Sequence, residues 1–361
     1  MKKQQKGKKF TQLLMLWHEK DNTRQMPWKG EKDPYKIWLS EIILQQTRVE
    51  QGTAYFNRFV AKYPNITALA NAQDTDVFKL WEGLGYYNRC KNMLATSRFI
   101  WSELNAVFPH TYESLLKLKG VGPYTAAAIA SFAYDLPNAV VDGNVYRVLA
   151  RYFGVSTPVD SKEGKAQFTE LAEQVLDPAN SALYNQAIMD FGATICKPAA
   201  PLCSLCPLSK HCVALQGNIV GELPVKDKKL IRRKRWFYYL VIESNEKFLV
   251  KKRTGNDIWQ NLHEFLLIET REPTASNDIL ASTEIGELQL NNVRLLNVSD
   301  TLQQQLTHQT IYATFIALHS ESILVPDGME MVEKNHMEEL AFPRIINKYM
   351  EQTASRFPEA V

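Results

Sequence analysis

Leu118-Lys119-Gly120-Val121-Gly122-Pro123-Tyr124 separates two helical patterns, ESLLKLK (113–119) and YTAAAIASFAY (124–134). Gly120 and Gly122 can take backbone angles closed to other residues and so expose consecutive amides. Pro123 suits a first helical turn, and the helix it opens aims its positive dipole end at the same place. Such a turn is an anion nest that can hold a phosphate without reading sequence. Two helices that merely need a tight connection would use the same glycines.

Helical spacing extends on both sides of this turn, from about residue 10 to 215, with no internal repeat. Asp33-Pro34 opens one helix, since Asp can cap free amides and Pro is tolerated at the first position; Tyr35, Trp38, Leu39 and Ile42 then share a stripe. Beyond Lys226 the pattern changes to strands rich in β-branched and aromatic residues: WFYYLVIE (236–243), KFLVKKR (247–253), HEFLLIE (263–269) and THQTIYATFIALH (307–319). A late helix is expected around Met329–Leu340. The resulting expectation is a helical domain over 1–222, a basic linker over 223–235 and an α+β domain over 236–361.

The 361 residues suit two domains, and 45% hydrophobic with 22% charged residues excludes a largely disordered or low-complexity chain. No stretch approaches the roughly 18 apolar residues of a membrane span. The basic start MKKQQKGKKF is not followed by a signal-peptide core. A cytoplasmic protein with no membrane partner is expected. Net charge is only +3, yet five lysines fall in residues 1–9, and KDKKLIRRKR (226–235) carries seven basic groups against one acid. Such clusters suit a polyanion and equally suit a solubilising surface.

Four of the five cysteines, Cys196, Cys203, Cys206 and Cys212, have the spacing C-x6-C-x2-C-x5-C, while Cys90 stands apart with no assigned role. Four thiolates so close in sequence can surround tetrahedral zinc or a cubane iron–sulfur cluster, and the spacing leaves both open.

This cysteine run resembles the 4Fe-4S loop of the endonuclease III superfamily of DNA repair glycosylases, which favours iron–sulfur over zinc. The segment 118–124 resembles that superfamily's helix–hairpin–helix motif, so Gly120, Val121 and Gly122 are expected to hold DNA phosphates. Bifunctional members carry a lysine just after the hairpin that attacks the sugar as a Schiff base. Here the residue is Tyr124, and a phenol forms no iminium ion, so a monofunctional enzyme is expected.

N-glycosidic cleavage calls for an acid to protonate the leaving base and a carboxylate to stabilise the sugar cation. Glu41 borders the apolar stripe of the Asp33-capped helix, where desolvation would keep it protonated, although a helical Glu is ordinarily a solvated surface residue. Asp142, in AVVDGNV (139–145), reads first as a helix cap. WLSEIILQQTRVE (38–50) and VDGNVYRVLAR (141–151) are similar to segments of the adenine-specific mismatch glycosylases. That resemblance implies Glu41 as proton donor, Asp142 as catalytic carboxylate, Asn144 as its supporting contact and Tyr124 beside the reacting sugar. It also implies Gln46 and Tyr86 entering the duplex, Trp28 and Lys29 lining the base pocket and Gln186 contacting adenine; many relatives have arginine at the position of Lys29.

The last domain is similar to the Nudix fold. No G-x5-E-x7-R-E-x2-E-E metal box is present, so diphosphohydrolase activity is not expected. Relatives often carry Phe-Ser-His where this chain has Leu306-Thr307-His308, so Thr307 and His308 are the expected contacts to 8-oxoguanine. The resemblance as a whole implies an all-α helix–hairpin–helix glycosylase domain with a 4Fe-4S loop at 196–212, followed by an α+β Nudix-like domain. The enzyme would act as a monomer on double-stranded DNA, excising adenine paired with 8-oxoguanine or guanine. Two rivals stay open: an oxidised-pyrimidine or thymine-mismatch glycosylase, and a noncatalytic iron–sulfur DNA-binding protein.

Overall fold

In the computed structural model, which describes residues 3–227 and 232–354, the helical half follows the capping signals. Its helices are α1 (Lys3–Asp21), α2 (Pro34–Leu44), α3 (Val49–Lys62), α4 (Ile66–Ala70), α5 (Asp74–Trp81), α6 (Asn88–Glu103), α7 (Tyr112–Leu115), α8 (Pro123–Tyr134), α9 (Gly143–Phe153), α10 (Lys162–Val175), α11 (Ser181–Thr194) and α12 (Val213–Gln216). Asp33 Oδ1 accepts the Tyr35 amide at 2.9 Å and starts α2, whose Tyr35, Trp38, Leu39 and Ile42 are all buried. Among the described residues no helix is long and apolar enough to cross a membrane.

Helix α7 is shorter than the pattern ESLLKLK suggests, because the Lys117 and Leu118 amides donate three residues back, to Ser114 and Leu115, and tighten the chain into the hairpin. Gly120 takes φ +79°, and a Cβ there would lie 2.8 Å from Asn92 Cβ, so both conformation and space require glycine. Thr96 Oγ1 donates to the Lys119 carbonyl at 2.7 Å and pins the turn.

The chain forms two compact units: Met1–Asn71 with Asn92–Lys228, and Ala72–Lys91 with Lys229–Val361. Residues 72–91 thus cluster with the C-terminal unit although they lie inside the stretch 1–222 read as helical domain. They do so through contacts such as Lys91 Nζ to Gln260 Oε1 at 2.8 Å and the Phe342 amide to Glu82 Oε1 at 2.8 Å. The stretch 223–235, read as a linker, is built into structure where it is described. The Leu223 carbonyl accepts Arg151 Nε at 3.0 Å, and Arg233 begins a strand. Lys228–Ile231 lie outside the described residues.

In the first unit, α1, α9, α10 and α11 enclose one apolar cluster built on Phe10, Leu14, Leu149, Phe168 and Phe191. The second unit holds β1 (Arg233–Ser244), β2 (Lys247–Lys252), β3 (His263–Thr270), β4 (Arg294–Val298), β5 (Leu302–Gln305), β6 (Gln309–His319) and β7 (Met329–Glu333). They form one mixed sheet in the order β4-β6-β1-β3-β2-β7, with β5 also on β6 and β1–β6 the parallel pair. Short helices α13 (Ser276–Leu280) and α14 (Thr283–Gly286) lie toward one face, where Ile279 and Leu288 meet Leu240, Ile242 and Ile316. On the other face Tyr349 of α15 (Arg344–Ala354) stacks on Phe315, with ring centroids 4.1 Å apart.

The helix expected at Met329–Leu340 is not formed. Met329–Glu333 is strand β7, antiparallel to β2, and a 3₁₀ turn over Lys334–Glu339 follows. Met329 and Met331 alternate inward onto the sheet cluster, so sheet pairing overrides local helix propensity. The late helix comes afterwards, beyond Pro343.

Candidate active site

Helices α2, α8 and α9 bring three side chains to one cavity of about 840 Å³. Glu41, on α2, is only 5% exposed. Burial pushes its carboxyl up to about 7; the hydrogen bond it shares with the Tyr124 phenol pulls down, and the charge of Asp142 pushes up. Tyr124 stands in the first turn of α8, and burial with both carboxylates nearby drives its hydroxyl well above the ordinary tyrosine range.

Asp142 is the N-cap of α9. Its Oδ1 accepts the backbone amides of Asn144 and Val145, each at 2.8 Å, and its Oδ2 accepts Asn144 Nδ2 at 2.7 Å. Burial raises its pKa above the usual aspartate value, while these hydrogen bonds and the charge of Arg147 oppose the rise. The cap and the candidate catalytic carboxylate are one residue: the amides that α9 leaves free at its start are the donors that hold it.

Arg147 extends this arrangement. Its Nη2 donates to Asn144 Oδ1 and to the Gly192 carbonyl, both at 2.7 Å, and its Nε to the Cys196 carbonyl at 2.6 Å. One turn later Arg151 Nη1 reaches the Lys197 carbonyl at 2.7 Å and Cys196 Sγ at 3.5 Å. Helix α9 therefore ties Asp142 at its head to the cysteine loop along its side.

Trp28, Lys29, Asn144 and Gln186 line the same cavity as Glu41, Tyr124 and Asp142. Behind them sits a residue that sequence reasoning missed. Asp190 has no exposed surface and accepts Arg24 Nη1 at 2.9 Å, Lys29 Nζ at 3.1 Å, Gln186 Nε2 at 2.9 Å and Asn22 Nδ2 at 2.8 Å. The Gln186-x3-Asp190 spacing, one helical turn on α11, was a sequence signal for this pair, but the partners from residues 22–29 were not legible. His18 also lines the cavity, with its pKa lowered chiefly by burial and further by Lys29.

Gln46 lies outside this lining, exposed just after α2 at φ 58°. Tyr86, Thr307 and His308 belong to the second unit. Tyr86 is exposed at φ 49°, and its hydroxyl is 2.8 Å from Thr307 Oγ1; His308 is exposed. Gly120 and Gly122 face solvent at the hairpin, and Val121 is buried beneath it.

Cys196, Cys203, Cys206 and Cys212 are all free thiols. They interact electrostatically with one another, and burial pushes Cys206 up to about 12. Among the described residues no three Cys, His, Asp or Glu side chains are gathered tightly enough to hold a metal ion. Cys90 is buried in the second unit.

Residues 39–174 match the family model of the HhH-GPD superfamily base excision DNA repair protein, and residues 237–352 match the NUDIX domain. An adenine DNA glycosylase of Buchnera aphidicola subsp. Acyrthosiphon pisum is 31% identical over 353 residues, covering 95% of this chain and 97% of its own. The chain belongs to the adenine DNA glycosylase family. Another member, from Buchnera aphidicola subsp. Schizaphis graminum, is 38% identical over 73% of this chain and 76% of its own. The family's helical part has a solved relative in a thermostable thymine-DNA glycosylase, with TM-score 0.55 and 29% identity over 59% of this chain and 98% of that one.

Proposed function

We infer that the chain removes adenine from double-stranded DNA by hydrolysing its N-glycosidic bond and leaves an abasic site, and that the opposite base it reads is 8-oxoguanine or guanine. The observation that carries this reading is the pairing of Glu41, raised to about 7, with an amide-held Asp142 across one cavity.

The target nucleotide is flipped out of the stack into the cavity. Neutral Glu41 donates its proton to a ring nitrogen of adenine, so the glycosidic electron pair leaves with a neutral base. Asp142 stabilises the positive charge that develops on the sugar, and water then attacks the anomeric carbon while the Glu41 carboxylate takes its proton. Tyr124, hydrogen-bonded to Glu41, orients the acid and offers no amine for a Schiff base. Of the lysines described along the cavity, Lys29 is ion-paired to Asp190 and Lys32 to Asp135. Gly120 and Gly122 hold a strand phosphate, Gln46 and Tyr86 enter the duplex, and Thr307 and His308 contact the opposite base. The enzyme works as a monomer in the reducing cytoplasm.

The cysteine loop suits a 4Fe-4S cluster by the chemistry of its donors: four free thiols, with Arg151 beside Cys196 Sγ to balance negative charge. Cys196, Cys203, Cys206 and Cys212 would hold it. Such a cluster supplies a rigid, one-electron-active cross-link; the chain's own part is the Arg147 and Arg151 contacts that fix the loop to α9.

The test is a glycosylase assay on duplexes containing 8-oxoguanine:A, G:A, G:T and an oxidised pyrimidine, with and without alkali. Adenine release, with strand breaks appearing only after alkali, is expected. Release of thymine or of the oxidised pyrimidine in preference, or strand cleavage without alkali, overturns the reading.

A further inference from the structure

Tyr152, on α9 one residue beyond Arg151, is 2% exposed, yet its hydroxyl has no hydrogen-bond partner among the described residues. A buried hydroxyl left unpaired is costly, and native structures normally supply a partner. The surroundings indicate which partner is meant. Tyr152 shares its apolar cluster with Cys196, Cys206 and Cys212, and the neighbouring Arg151 carbonyl lies 3.4 Å from Cys212 Sγ. Its hydroxyl interacts electrostatically with Cys212 and Cys206.

A cation sits on the same side. The Lys6 ammonium, from α1, lies 5.1 Å from the centroid of the Tyr152 ring and 5.6 Å from that of Phe153, and it interacts electrostatically with Cys212. A lysine half-buried against two aromatic faces is fixed in place and cannot drift as a surface lysine does.

We propose that Tyr152 and Lys6 form the outer shell of the cysteine-held centre: the hydroxyl donates a hydrogen bond to a sulfur on the Cys206–Cys212 side, and the ammonium balances negative charge beside Cys212. The inference rests on the 4Fe-4S reading above. Hydrogen bonds to sulfur and nearby positive charge both favour the more reduced, more negative state of such a centre. Both groups therefore raise its reduction potential and slow its oxidative loss.

The experiment compares holoprotein with Tyr152→Phe, Lys6→Met and the charge-keeping Lys6→Arg. Iron and acid-labile sulfide are measured first, then the cluster's midpoint potential and the bleaching of its visible absorbance by ferricyanide, a one-electron oxidant. Tyr152→Phe and Lys6→Met are expected to shift the midpoint negative and to bleach about two- to tenfold faster, while Lys6→Arg keeps wild-type behaviour. Tyr152→Phe retains the ring, and Lys6→Met most of the stem, so packing survives; a purely structural role would move thermal stability and leave the potential alone. Iron-replete variants with wild-type potential and bleaching overturn this inference by itself. A wild-type protein lacking iron and sulfide removes the cluster reading and this inference together.

Discussion

Asn144 Nδ2 donates to Asp142 Oδ2 at 2.7 Å, while Asn144 Oδ1 accepts Arg147 Nη2 at the same distance. Asn144 thus hands the positive end of a fixed dipole to the carboxylate that carries negative charge in the proposed mechanism. Its replacement by Ala removes one charge-assisted bond, worth about 1.5–3 kcal/mol. Single-turnover adenine release should fall about 10- to 100-fold, and duplex affinity should change much less. A larger loss in affinity than in rate would mean that Asn144 serves binding.

In the proposed mechanism Glu41 acts in its protonated form, so its pKa of about 7 sets the expected descending limb of the pH–rate profile. Excision should decline as pH rises through that value. Glu41→Gln should abolish most excision, by about 10²–10⁴-fold, and still bind the mispaired duplex. A profile flat from pH 6 to 9 in the wild-type enzyme would contradict the assignment.

The same shift has a consequence for stability. The folded state disfavours ionised Glu41, so the wild-type protein loses stability as pH rises from the unfolded carboxyl pKa to about 7. Glu41→Gln escapes that loss. The variant should be more stable than wild type at pH 8, by roughly 2–4 kcal/mol, and so melt at a higher temperature, with the gap closing toward pH 4. Equal melting curves at pH 8 would show that Glu41 carries no burial penalty.

Asp190 neutralises Arg24 and Lys29 at the back of the cavity. Asp190→Leu removes the acceptor shared by two half-buried cations and the Asn22 and Gln186 amides, at a cost of about 3 kcal/mol. Chemical denaturation checks the figure. A loss below about 0.5 kcal/mol would mean that solvent replaces the carboxylate.

Thr307 and His308 lie at the turn before β6, with Thr307 against Tyr86. Replacing both with Ala should narrow the rate difference between 8-oxoguanine:A and G:A duplexes while leaving G:A excision nearly unchanged. Equal slowing on both duplexes would remove these residues from opposite-base reading.

Much of the site was legible because its signals are local. Asp33-Pro34, Gly120-Val121-Gly122-Pro123 and Asp142-Gly143-Asn144 each state a cap or a turn in adjacent letters, and the structure places a helix start at each. The four strands expected at 236–319 were likewise carried by runs of β-branched and aromatic residues. Strand β4 is mostly exposed, β5 is a glutamine run, and β7 alternates Met with Glu; these three went unrecognised because each is defined by its neighbour and not by its own composition.

What the letters alone determined is the chemistry on offer: two carboxyls, a phenol where an amine could have stood, a phosphate-ready turn and four clustered thiols. Tertiary structure decided what those groups become. Burial turns an ordinary helical glutamate into an acid poised near neutrality, and Asp190 gathers Asn22, Arg24 and Lys29 from a distant segment into one wall. A pKa and an ion pair depend on distance and dielectric, which sequence spacing encodes only within a turn of helix and the folded chain sets everywhere else.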